Sequence, residues 1–123
     1  MLGKQVVSTE EFVTRIRAAV QARDAIPGCD IVIIARTDSA QVLGMEEAVK
    51  RLQAAAAVGA DVAFIEGVKT QELLEKTVKA LAPTPVSFNL SMYTRAKLTH
   101  TRIPGARKRH LRRSHSFLYH QGG

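Results

Sequence analysis

Ile31-Val32-Ile33-Ile34 sets four β-branched residues in a row, and after Ala35 the chain turns polar at Arg36-Thr37-Asp38-Ser39. A continuous apolar run of this kind reads as a strand covered on both faces, as in a parallel α/β sheet. The strand is expected over Ile31–Ala35. Folds of this class place ligand chemistry at the carboxyl ends of their strands. Arg36 therefore stands either at a site or at a junction whose charges merely meet water, and its position alone does not separate the two.

The pattern recurs along the chain, which narrows the choice of fold. Ser8-Thr9-Glu10-Glu11 is a capping box, in which Ser8 can accept from the Glu11 amide and Glu11 can reach back to that of Ser8. Phe12, Ile16, Ala19, Val20 and Arg23 then follow helical spacing, so a helix is expected from about Thr9 to Ala25, ended by Pro27-Gly28. A second helix follows Gly44, with Met45, Ala48, Val49, Leu52, Ala55 and Ala56 on its buried stripe. Glu46/Lys50 and Glu47/Arg51 are expected as i,i+4 pairs on its wet side, and Gly59 as its C-terminal cap. Val62–Ile65 reads as the next strand and ends on Glu66-Gly67. Thr70 can cap a third helix, with Leu73, Leu74, Val78 and Leu81 inside and Glu72/Lys76 and Glu75/Lys79 outside, until Pro83 and Pro85 stop it. Residues 85–90 read as a third, shorter strand, since proline is tolerated where a strand begins.

The order is helix, strand, helix, strand, helix, strand. Such alternation predicts a parallel sheet with helices packed over it. The spacing also fits the repeat of a (β/α) barrel, which needs eight units and roughly 250 residues. This chain has 123 residues, enough for about three βα units with a leading helix. The expected fold is therefore α/β, a fragment of a (β/α)8 TIM barrel with parallel strands.

Charge divides the chain. Residues 1–90 hold ten Lys/Arg and eleven Asp/Glu, whereas 91–123 hold eight Lys/Arg, no acid and all four histidines. The formal net charge of +7 thus describes a nearly neutral body, 1–90, followed by a basic tail, 91–123. Cys29 is the single cysteine, which excludes a disulfide framework and a multi-cysteine metal site. No apolar run reaches membrane-spanning length and no secretory pattern opens the sequence, so a soluble, cytoplasmic protein is expected.

The three expected strands end on Arg36, Glu66 and Asn89. In a parallel sheet these ends share one rim, so a guanidinium, a carboxylate and an amide would converge. Arginine grips carboxylates through a planar two-toothed contact. Glutamate can act as an acid or base or fix a substrate hydroxyl, and asparagine can donate to a developing oxyanion. Each alone reads most simply as a solvated or paired surface group. Three in register point to a site for a small, oxygen-rich anion.

The same residues carry a resemblance. Ala35-Arg36-Thr37-Asp38-Ser39 is similar to the Ala-Arg-Thr-Asp strand end of the isocitrate lyase / phosphoenolpyruvate mutase family. Ala54–Ala60 with Asp61-Val62-Ala63-Phe64-Ile65-Glu66 resembles that family's helix-Gly-Ala-Asp-strand-Glu segment, and Pro83-Thr84-Pro85-Val86 with Asn89 resembles its next strand. The match runs over about residues 3–90 and is nearest the branch of 2-methylisocitrate lyase, oxaloacetate hydrolase and phosphonomutase-like enzymes. The resemblance implies a magnesium-dependent barrel that breaks or rearranges C–C or C–P bonds of small α-oxo or α-hydroxy acids through an enolate. It implies that Arg36 grips a substrate carboxylate, that Glu66 binds substrate near its reacting end as the catalytic residue, and that Asn89 lines the same pocket. It implies Mg2+ as a Lewis acid. No metal ligands are assigned, because the family's metal-holding aspartates lie on earlier strands with no counterpart here. The family's mobile Lys-(Lys/Arg)-Cys-Gly-His loop has no counterpart either. Cys29, where a strand begins, reads as a structural thiol. A partial chain, inactive alone, is expected. Its unpaired strand edges predict self-association.

From Ser91 onward the resemblance stops, as a shifted reading frame or mis-joined exon would produce. Arg107-Lys108-Arg109-His110-Leu111-Arg112-Arg113 is a dense basic run without a stacking platform, and the histidines lack metal-site spacing. A disordered, solvated tail is expected. The alternative function is a nucleic-acid-binding or regulatory module that uses this run.

Overall fold

The computed structural model describes residues 5–89 and the backbone of 106–110 and 116–121. Helix α1 covers Thr9–Asp24, with the Ser8 side chain accepting from the Glu11 amide as the capping box requires. Strand β1 is Ile34–Thr37, followed by the short helix α2, Ala40–Leu43, and the longer helix α3, Met45–Ala57. Strand β2 is Val62–Ile65, helix α4 is Gln71–Leu81 and strand β3 is Val86–Asn89. Thr70 caps α4 by accepting from the Leu73 amide. The expected α/β class with parallel strands is observed: β1 pairs β2 and β2 pairs β3, both in parallel.

Strand β1 begins later than the apolar run suggests. The amide of Asp61 donates to the Ile33 carbonyl at 2.9 Å, and the Asp61 carboxylate accepts from the Ile33 amide at 2.8 Å. Pairing can start only there, because β2 begins at Val62. Ile31 and Val32 precede the partner strand and stay exposed, as does Ile34. The expectation of a strand covered on both faces is thus corrected: only one face is covered.

That covered face holds the core. Ala35, Ala63, Ile65, Val86 and Phe88 point from the sheet towards Ala48, Leu52 and Ala55 of α3 and Leu74, Val78 and Leu81 of α4. Helix α1 lies outside this layer against α3, and Val20 is its buried residue. Helix α3 ends in a Schellman arrangement, with the Ala60 amide on the Ala55 carbonyl and the Gly59 amide on that of Ala56. Gly59, expected as the cap, takes φ +109°, and a Cβ there would lie 2.8 Å from Val20 Cγ1.

The outer pairs Glu46–Lys50 and Glu72–Lys76 form as expected, at 3.5 and 3.1 Å. In place of the Glu75/Lys79 pair, Glu75 accepts from Gln71. The Glu47–Arg51 pair forms too, at 3.6 Å, but not on a wet face: Arg51 is buried and also donates to the Val7 carbonyl at 2.6 Å, while Glu47 also accepts from Thr9 at 3.1 Å. The segment before α1 folds over Arg51 and removes it from water.

Within 91–123, expected to be disordered, the backbone of Ala106–His110 forms β4 and that of Ser116–Gln121 forms β5. Strand β5 pairs antiparallel with β3, and β4 with β5, giving the sheet order β1-β2-β3-β5-β4. Disorder does not hold for these two stretches, because the unpaired edge of β3 offers backbone groups that a hairpin can take up. The side chains of the basic run lie outside the described residues.

Candidate functional site

Strand parity decides which side chains meet. Ala35 and Thr37 face the helices, so Ile34 and Arg36 face the other way. Phe64 stands beside Arg36 in the β1–β2 register, and the Glu66 amide continues the ladder to the Thr37 carbonyl at 3.2 Å. Glu66 and Asn89 are two positions beyond Phe64 and Ser87, which are paired with each other. Arg36, Glu66 and Asn89 therefore share the face that no helix covers.

The structure brings all three together. Asn89 Nδ2 donates to Glu66 Oε1 at 2.7 Å, and Arg36 Nη2 lies 3.4 Å from the same oxygen. The Arg36 guanidinium carbon sits 5.2 Å from the centroid of the Phe64 ring, a cation–π contact. Its Nε donates to Asp38 Oδ1 at 3.0 Å and its Nη2 to Oδ2 at 3.4 Å. The hydrogen bond to Asp38, and then the charges of Asp38 and Glu66, hold the guanidinium's pKa above its ordinary value against a smaller opposing effect of burial. Arg36 is permanently cationic and more than half exposed, with Glu66 more enclosed.

The turn that carries Asp38 is braced from beneath. Thr37 and Ser39 are buried, their hydroxyls are 2.7 Å apart, and the Ser39 amide donates to Thr37 Oγ1 at 3.2 Å. A cavity of about 390 Å³ opens beside the turn, walled by Val7, Phe12, Arg15, Arg36, Asp38 and Arg51 among others. It meets the cluster at Arg36 and Asp38, while Glu66 and Asn89 do not line it.

Reading strand ends alone omits Asp38, Phe64 and Arg51. Asp38 was signalled by lying two residues beyond Arg36, and Phe64 by sharing parity with Glu66. Nothing local marks Arg51, whose burial depends on a segment 44 positions away. Among the described residues, no group of three or more His, Cys, Asp or Glu could hold a metal ion, and the Asp38 and Glu66 carboxylates already face Arg36. Cys29 is a free, half-buried thiol in the loop before β1, away from the cluster. No helix among the described residues is long and apolar enough to cross a membrane.

Comparison with known proteins gives a consistent picture. Residues 2–106 match the family described as phosphoenolpyruvate phosphomutase. The 2-methylisocitrate lyase of Shewanella oneidensis is 40% identical over 96 residues, covering 78% of this chain and 32% of that enzyme. A crystal structure of 2,3-dimethylmalate lyase, a member of the PEP mutase/isocitrate lyase superfamily, is 53% identical with a TM-score of 0.66, over 70% of this chain and 28% of that one. A structure of oxaloacetate acetylhydrolase in complex with its product oxalate is 48% identical with a TM-score of 0.67, over 70% and 29%. The chain spans about a third or less of the length of these relatives.

Proposed function

Because the chain belongs to the phosphoenolpyruvate phosphomutase family, we propose that it is a segment of a carbon–carbon lyase or phosphonomutase barrel that binds a small α-oxo or α-hydroxy carboxylic acid at its strand-end rim. The observation that carries this is the joined array of Arg36, Glu66 and Asn89 on one uncovered face. Arg36 grips a substrate carboxylate through its planar donors. Glu66 contacts the substrate near its reacting end and serves as acid or base, or holds a hydroxyl. Asn89 fixes the Glu66 carboxylate and lines the same pocket. Phe64 steadies the guanidinium face.

Magnesium, which the family resemblance implies, is not provided for by the described residues, whose carboxylates near the site are turned to Arg36. The chain is proposed to bind without turning over, since these residues supply a grip and two carboxylates that both face Arg36, but no further reacting group. Self-association through the open β1 edge and the exposed Ile31, Val32 and Ile34 is part of the same proposal. A cytoplasmic location fits the single cysteine.

Oxalate, the product held by the related acetylhydrolase, is the direct probe. Calorimetric titration should give weak binding that Arg36→Ala lowers by about tenfold or more, since an ion-pairing hydrogen-bonded contact is lost. Binding unchanged by Arg36→Ala would reject the site. Release of pyruvate, glyoxylate or oxalate from candidate acids with added magnesium is expected to be undetectable. Clear turnover abolished by Arg36→Ala would overturn the proposed inactivity.

A further inference from the structure

We propose that Asp38 is a built-in competitor for the carboxylate of the ligand: it occupies the Nε and Nη2 edge of Arg36, and an acid that takes this edge must displace it. This rests on the carboxylate-binding reading of Arg36 given above.

The geometry is that of a ligand already in place. Both oxygens of one carboxylate sit on the Nε and Nη2 edge of the guanidinium, at 3.0 and 3.4 Å. That side-by-side arrangement is how arginine recognises a free carboxylate. Two further contacts crowd this edge and one face, with Glu66 Oε1 3.4 Å from Nη2 and Phe64 beneath the guanidinium plane. One cation thus faces two anions, so a dianionic acid arriving with Asp38 still in place meets a net negative cluster. Replacing one carboxylate by another keeps the local charge closer to balance.

Asp38 is also the member of the cluster that can leave. The turn beneath it is locked by the Thr37–Ser39 hydroxyl contact, so the backbone need not move. Its side chain is one-third exposed, against less than one-quarter for Glu66. Asp38 lines the 390 Å³ cavity, whose wall includes Arg15 and Arg51. A rotation about the Asp38 side chain therefore carries its carboxylate towards the cavity, where Arg15, paired with Glu11, offers further donors. Glu66 has no such exit, since Asn89 also holds it, at 2.7 Å. Asp38 then sets selectivity at this edge: only acids that outcompete a tethered carboxylate take the two-toothed position on Arg36.

The test is oxalate titration of the full chain carrying Asp38→Asn, Asp38→Ser, Arg36→Ala or Asp38→Asn with Arg36→Ala, with circular dichroism to confirm folding. Asp38→Asn and Asp38→Ser should each bind oxalate about three- to tenfold tighter than the unsubstituted chain, and adding Arg36→Ala should remove the gain. Binding that depends on Arg36 but is unchanged or weakened by both Asp38 substitutions would overturn the competitor role and leave the carboxylate site standing. Binding indifferent to Arg36, or none in any variant, would remove both. In the unsubstituted chain, saturation with oxalate should shift the Asp38 side-chain carboxyl carbon resonance. If that resonance stays still while Arg36 Nε responds, Asp38 is not displaced.

Discussion

Arg36 is the centre of the strand-end cluster, and its surroundings fix its charge. Asp38 first, then Glu66, raise the pKa of its guanidinium. A group whose pKa is raised on folding contributes its stabilisation below the unfolded pKa and loses it as pH climbs through the folded one. For Arg36 that window lies above the range in which proteins are handled, so its charge is constant in practice. Oxalate affinity should therefore be flat between about pH 6 and pH 9, where neither arginine nor an ordinary carboxylate titrates. A fall of about tenfold across that interval would instead implicate an imidazole, and the histidines of this chain all lie in the basic tail. That Arg36, Glu66 and Asn89 come together was legible because strand ends and parity are local properties. Asp38's hold on Arg36 was not, since it depends on the direction two side chains take at a turn. Arg51 was misread because helical spacing places it beside Glu47 but says nothing of the distant segment that covers it.

At the scale of elements, caps and periodicity were the readable signals. Ser8, Thr70 and Gly59 occupy the positions their types suggest. Helix α2 escaped notice because its four residues are too few to show a period. The late start of β1 escaped because pairing length is set by the partner strand, not by the apolar run itself. The tail strands were hidden by a basic composition that argues for solvation, whereas the free edge of β3 recruits backbone irrespective of side chain. Gly59 supplies the sharpest test of the helix–sheet layer. Gly59→Ala must take a φ of +109° with its Cβ 2.8 Å from Val20 Cγ1. It should cost about 1–3 kcal/mol from backbone strain alone, more with the clash. Val20→Ala in the same chain should return the part due to the clash, as read from urea unfolding of the single and double variants. A Gly59→Ala chain as stable as the parent would mean that the turn after α3 is looser than the structure shows.

At the scale of the whole molecule, one face of a three-strand parallel sheet is sealed by α3 and α4, while the other presents Ile34, Arg36 and Phe64. In relatives of more than three times the matched length, further chain is available to cover such a face. Here the hairpin of β4 and β5 extends the β3 edge, with β4 as one margin of the sheet and β1 as the other. Size-exclusion chromatography should show concentration-dependent association. Ile34→Lys should shift the chain towards monomer with its helicity kept, because a charge on an open edge opposes pairing; an elution volume unaffected by concentration and by Ile34→Lys would show that this margin is not sticky. The central claim is that a small acid binds at the strand-end rim and not at the basic tail. Oxalate titrated into the 15N-labelled chain, followed by amide correlation spectra, tests it most directly. Shifts should concentrate at residues 36–39, 66–67 and 89 and disappear in Arg36→Ala. Shifts centred on residues 107–113 and retained in Arg36→Ala would contradict it, and would favour a basic module that binds anions without the barrel rim.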